Sequence, residues 1–134
     1  MSKGRFQQDA SLTVATALPA AGATAHSNAI DLHEKYGYAL EDIEYLLSIP
    51  ATPNLADTKN ITITVEDSAD GVNFAAVPAL ATFVVTGAGG VGAAAASRRF
   101  RLPSDARRYL RVSAVVDAAG GGNTAVSFTL TPLF

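Results

Sequence analysis

Residues 82–96, Thr82-Phe83-Val84-Val85-Thr86-Gly87-Ala88-Gly89-Gly90-Val91-Gly92-Ala93-Ala94-Ala95-Ala96, decide the fold class of this chain. Gly87, Gly89 and Gly92 match G-x-G-x-x-G, and the apolar run Phe83–Val85 stands just before them. In a dinucleotide site such glycines let the backbone approach the pyrophosphate, and the helix after them aims its N-terminus at the phosphates. That geometry needs a helix after Gly92. Only Val91–Arg101 is available, and Arg98–Leu102 alternates like a strand before Pro103 stops it. Residues 93–134 are also too few to wind the further parallel strands of a dinucleotide domain. A short-chain dehydrogenase would carry Tyr-x-x-x-Lys, and Tyr36, Tyr38, Tyr45 and Tyr109 all lack a lysine four residues on. The segment therefore reads as a long, pliable Gly/Ala loop between two strands.

The rest of the chain agrees with that reading. Ile61, Ile63 and Val65 alternate with Thr62, Thr64 and Glu66, the mark of a half-buried strand. Asp67-Ser68-Ala69-Asp70-Gly71 is a turn in which short polar side chains cap the backbone. Val72, Phe74 and Val77 continue into an irregular strand, and Ala81–Thr86 is the next. Phe100 and Leu102 share a face opposite Arg99 and Arg101. Leu110, Val112, Ala114 and Val116 line one face of the longest strand, Tyr109–Asp117. Ala118–Asn123, with three consecutive glycines, then predicts a hairpin connection to a last strand in which Val126, Phe128 and Leu130 alternate with polar residues.

Asp31–Leu47 fits two periods. Leu40, Ile43, Leu46 and Leu47 share a helical face, while Ile43, Tyr45, Leu47 and Ile49 alternate as a strand. The β-like character of the chain beyond residue 60 favours a strand over 43–49, ended by Pro50 and Pro53. The pattern of seven or eight short strands, separated by turn signals, predicts an all-β chain: an antiparallel β-sandwich or jelly roll. Residues 1–24, rich in Ala, Thr, Ser and Gln, read as an extended N-terminal arm, and 25–134 as the sandwich domain.

Composition narrows the function classes. The chain has 134 residues, enough for one core. It carries a net charge of −2, so no global attraction draws it to nucleic acid or membrane. It has no cysteine, which excludes disulfides, thiolate metal sites and thiol nucleophiles. The N-terminus shows no apolar signal region, and no apolar run approaches the roughly 20 residues of a membrane helix. Charge is uneven along the chain. Acids dominate residues 1–70, and Arg98, Arg99, Arg101, Arg107, Arg108 and Arg111 crowd 98–111. Such opposed halves suit self-association or docking on a charged surface, or else a solvated strand face with intramolecular pairs.

No catalytic constellation assembles. A calcium loop begun at Asp67 would need glutamate at its twelfth position, which is Pro78. His26 and His33 lie seven apart in an irregular segment, with Asp31 or Glu34 as the only further ligands, and read as surface histidines. Glu41, Asp42 and Glu44 read as a solvated face, with no tryptophan to hold a sugar. The arginine cluster is the best interaction candidate, because arginine binds carboxylates bidentately and suits protein interfaces. A nucleic-acid groove would interleave aromatics with these charges, and Tyr109 alone qualifies. No cofactor or metal is expected.

The order of features, Phe6-Gln7-Gln8-Asp9-Ala10, then Ser27-Asn28-Ala29-Ile30-Asp31-Leu32, then Ile61–Asp67 with Ser68-Ala69-Asp70-Gly71 and Phe74, then Arg108-Tyr109-Leu110-Arg111-Val112 and a terminal β-hairpin, resembles the capsid cement, or decoration, proteins of tailed bacteriophages, particularly the jelly-roll type of podophage-like capsids. The resemblance spans about residues 6–134. Residues 33–58 and 87–96 add nothing to it. It implies a non-enzymatic virion protein on the outer surface of the expanded head, made in the host cytoplasm. Its partner there would be the major capsid protein, whose neighbouring subunits it bridges. It also implies a homo-oligomer, a dimer with a trimer as alternative. Phe6, Leu12, Val14 and Leu18 of the arm would then lie along the capsid or a sister subunit, with Arg98, Arg99, Arg101, Arg107 and Arg108 as further interface candidates. Two other classes stay open at this point: a carbohydrate- or ligand-binding β-sandwich module, which would need clustered exposed aromatics, and a dinucleotide-binding enzyme.

Overall fold

The computed structural model describes residues 13–32 and 44–133. The expectations placed on Phe6, Leu12, His33, Glu34, Tyr36, Tyr38, Leu40, Glu41, Asp42 and Ile43 lie outside the described residues. The elements lying wholly within these residues are β-strands: β1 (Val14–Ala17), β2 (Thr24–His26), β3 (Ile30–Asp31), β4 (Glu44–Ile49), β5 (Asn60–Ser68), β6 (Ala75–Ala76), β7 (Phe83–Thr86), β8 (Ala96–Arg101), β9 (Tyr109–Val116) and β10 (Ser127–Leu133).

All strand pairs are antiparallel. One sheet has the order β1-β10-β4-β8. In the other, β9 and β5 are central; β2 and β3 share the far edge of β9, and β6 and β7 share the far edge of β5. Counted by position, the ten strands fill eight places, four to a sheet. The chain changes sheet at almost every connection, which is the strand order of a jelly roll. The all-β sandwich expected from the sequence is the fold observed.

The core follows from period-2 alternation. Tyr45, Leu47 and Ile49 of β4 and Phe128 and Leu130 of β10 face Ile61, Ile63 and Val65 of β5 and Leu110, Val112, Ala114 and Val116 of β9, and all are buried. Tyr45 stacks on Phe100 of β8 with ring centroids 5.5 Å apart. Layers of this kind pack about 10 Å apart, so one residue of register slip would carry a whole row into solvent.

Three expectations are corrected. The arm does not run to residue 24. β1 is hydrogen-bonded to β10 (Val14 opposite Leu130) and β2 to β9 (Thr24 opposite Val115). Leu18 is 2 % exposed inside the core. Residues 11–18 are compatible with one strand in the sequence, but the arm reading extends through them because the alternation is weak: Val14 and Thr16 are only partly covered, and Ala15 and Ala17 are exposed. Second, Ala118–Asn123 is not a hairpin connection. It carries the chain from β9 in one sheet to β10 in the other, and the glycine turn held no information about which sheet comes next. Third, the Gly/Ala loop is not pliable filler, because hydrogen bonds tie it to residues 52–59.

Candidate functional surface

The glycine run connects β7 to β8, so it crosses between the sheets, and a strand rather than a helix comes after it. Thr52 and Ala93 exchange two backbone hydrogen bonds of 2.9 and 3.1 Å. The Gly87 amide donates to the Lys59 carbonyl (3.0 Å), and the Thr58 amide donates to the Gly87 carbonyl (2.9 Å). The Gly90 amide donates to Asp57 Oδ1 at 2.9 Å. A glycine-rich loop can cradle an anion with its amides. Here the anion is a carboxylate of the same chain. Gly87 and Gly92 lie against the backbone of residues 52–56, which is why side chains are missing there.

The arginines are mostly paired within the molecule. Arg108 makes a bidentate pair with Asp31 (2.9 and 2.7 Å) and lies over the Tyr109 ring. Arg111 bonds Glu66 at 2.7 Å and stacks on Phe74 at 4.1 Å. Arg98 donates to the carbonyls of Ala81 and Thr82 (3.1 and 3.2 Å) and covers the Phe83 ring. Arg99 reaches Glu44 at 3.4 Å while staying 58 % exposed. Arg101 is exposed at the end of β8.

Arg107 holds the most buried of these acids. Asp67 is 5 % exposed and faces the core side of β5. Its Oδ2 accepts from the Arg107 amide at 3.0 Å and its Oδ1 from Arg107 Nε at 2.9 Å, while Arg107 Nη2 bonds the Asp67 carbonyl at 2.7 Å. A hollow of about 300 Å³ adjoins this pair, lined by Asp67, Ala75–Pro78, Asp105 and Arg107. Truncating one partner of a buried pair strands the other charge. Because the Arg107 side chain is 42 % exposed, the usual penalty is discounted, and Arg107→Ala is expected to cost about 2 kcal/mol in urea denaturation. The Asp67→Ala/Arg107→Ala double variant should lose clearly less than the sum of the two singles.

The opposed charge halves of the sequence are thus largely strand partners. Early acidic strands lie beside late basic ones: Glu66 is directly opposite Arg111, and Glu44 opposite Arg101. The sequence shows both runs of charge but not which acid faces which arginine. Opposite charges at facing positions of antiparallel strands were the usable signal, once the strand order was known.

The turn after β5 is built as the sequence suggests. Asp70 Oδ1 accepts from the amides of Val72 and Asn73, both at 2.9 Å, and from Ser68 Oγ at 2.8 Å; Oδ2 accepts from Asn73 Nδ2 at 3.0 Å. Tyr109 packs over Gly71. The bonds from Asn73 and Val72 hold the Asp70 carboxyl far below the usual carboxylate range. Lowering the folded-state pKa makes the turn's contribution fully present above the ordinary carboxylate value and lost progressively as pH falls from there through the lowered one. The Val72 and Asn73 amide resonances are expected to stay fixed as ordinary carboxylates titrate and to move only at more acid pH.

Other sequence candidates do not converge. His26 lies 4.0 Å from Glu66 and is partly exposed. No group of three or more His, Asp or Glu side chains that could hold a metal occurs among the described residues. Val14 packs against the core from the edge. Tyr45 is buried and Tyr109 half-buried, so neither offers an open aromatic platform.

No protein-family model and no curated protein matches this chain. Among solved structures it is similar to one of Bacillus endospore appendages, described as a novel family of disulfide-linked pili, at 21 % identity and a TM-score of 0.49, with 100 % of this chain and 92 % of that chain covered.

Proposed function

We propose that this chain is a structural shell protein, one that binds the outer surface of a tailed-phage head and cements neighbouring major capsid subunits as a homo-oligomer. The observation that carries the reading is the eight-place jelly-roll order, the fold implied by the resemblance. The internal pairing of Asp31, Glu66 and Asp67 with arginines fits a protein whose work is cohesion. A protein that binds only the assembled, expanded lattice stabilises it by mass action, and many modest contacts add through multivalency.

Co-sedimentation tests this. The purified protein is expected to pellet with expanded heads and to stay in solution with unexpanded ones; absence from both pellets overturns the reading. Removing residues 1–12, ahead of β1, is expected to weaken pelleting. Truncation to residue 24 is no test of the arm, because it also removes β1 and Leu18.

A further inference from the structure

The two sheets guard their edges differently. Both edges of the sheet built on β5 and β9 are broken into pieces: β2 and β3 on one side, β6 and β7 on the other, none longer than four residues. β1, an edge of the other sheet, also has four. β8 is unbroken over six residues, and among the described residues only β4 pairs with it. Breaking an edge is a common way to prevent strand addition, and β8 lacks that protection.

Its side chains define what can be added. Arg99 and Arg101 stand exposed on the outer face, and the hold of Glu44 on Arg99 is long at 3.4 Å. On the inner face Arg98 is turned toward Ala81, Thr82 and Phe83, and Phe100 is half-buried against Tyr45. A second copy of β8 is a poor match. Antiparallel registers centred on Arg98, Arg99 or Phe100 each set arginine opposite arginine on one face, which is repulsive.

We infer that β8 is a strand-addition edge for an extended acidic segment of a partner protein. Carboxylates at alternate positions would face Arg99 and Arg101, and apolar residues between them would cover Phe100. Main-chain hydrogen bonds supply the attachment and the alternate side chains the selectivity. The inference goes beyond the shell reading and stands without it.

The test uses a short, capped, fluorescent peptide of alternating valine and glutamate, read by polarisation against the full chain. Binding is expected to be about tenfold tighter than for the valine–lysine counterpart, and to vanish when alternate peptide amides are methylated. Amide shifts should centre on Ser97–Arg101. Arg99→Glu should reverse the preference between the two peptides, and Arg99→Gln should merely reduce it, should the charge reversal impair folding. Equal binding of both peptides, indifference to amide methylation, or shifts centred on β1 would overturn the inference.

Discussion

Replacing Gly92 with alanine is expected to destabilise the protein by about 3 kcal/mol, whereas Gly122→Ala should change it by less than about 0.5 kcal/mol. A Cβ at Gly92 would stand 1.9 Å from the Thr52 carbonyl oxygen and 2.7 Å from Pro53 backbone atoms. Neither obstacle is the end of a flexible side chain, so the segment itself must move and strain the Thr52–Ala93 bonds. The backbone at Gly92 also has φ +73°, a conformation that costs an L-residue roughly 1–2 kcal/mol. At Gly122 nothing lies within 4 Å. Gly89 separates the two effects: its φ is +65° with open space around it, so Gly89→Ala should cost about 1 kcal/mol from backbone strain alone. Urea midpoints of the three variants order them. Equal midpoints for Gly92→Ala and Gly122→Ala would mean that the loop is not held against residues 52–56.

Leu18→Ala is expected to cost about 3 kcal/mol in the isolated protein. Leu18 is 2 % exposed, and its amide is bonded to the Val126 carbonyl at 2.9 Å just beyond β1. Removing the side chain leaves a cavity between the sheets, and close-packed surroundings collapse into it only partly. A residue reserved for a partner surface would behave otherwise: its truncation would leave unfolding unchanged and alter only association. The measurement is a denaturation curve at protein concentrations tenfold apart. A wild-type midpoint for the variant would return Leu18 to the arm.

How far the fold was legible depended on the strand. β5 and β9 announce themselves, because Ile61, Ile63 and Val65, and Leu110, Val112, Ala114 and Val116, bury alternate residues in the middle of a sheet. β1 does not, since Val14 is only partly covered and Ala15 and Ala17 are exposed. The sheet order was not legible at all. Alternation says that a residue faces the core but not which strand lies beside it, so Ala118–Asn123 looked like a hairpin and docking and internal pairing of the arginines could not be told apart. The glycine loop shows the same limit. Its backbone freedom is visible in the residues, but the close approach of residues 52–56 depends on a segment far earlier in the chain.

The jelly-roll order also fixes when the protein can become itself. β1 pairs with β10, and β2 with β9, so Val14 must wait for Leu130 and Thr24 for Val115. Each such pairing closes a long loop before it returns any contact energy, which slows folding. During synthesis, β1 has no sheet partner until residues 127–130 have emerged from the ribosome. The sandwich therefore assembles after translation of β10 rather than along it. In that interval β4 and β8 can be sought by other copies, and the arginines of β8, which repel their own kind, shield one edge of the nascent chain from them.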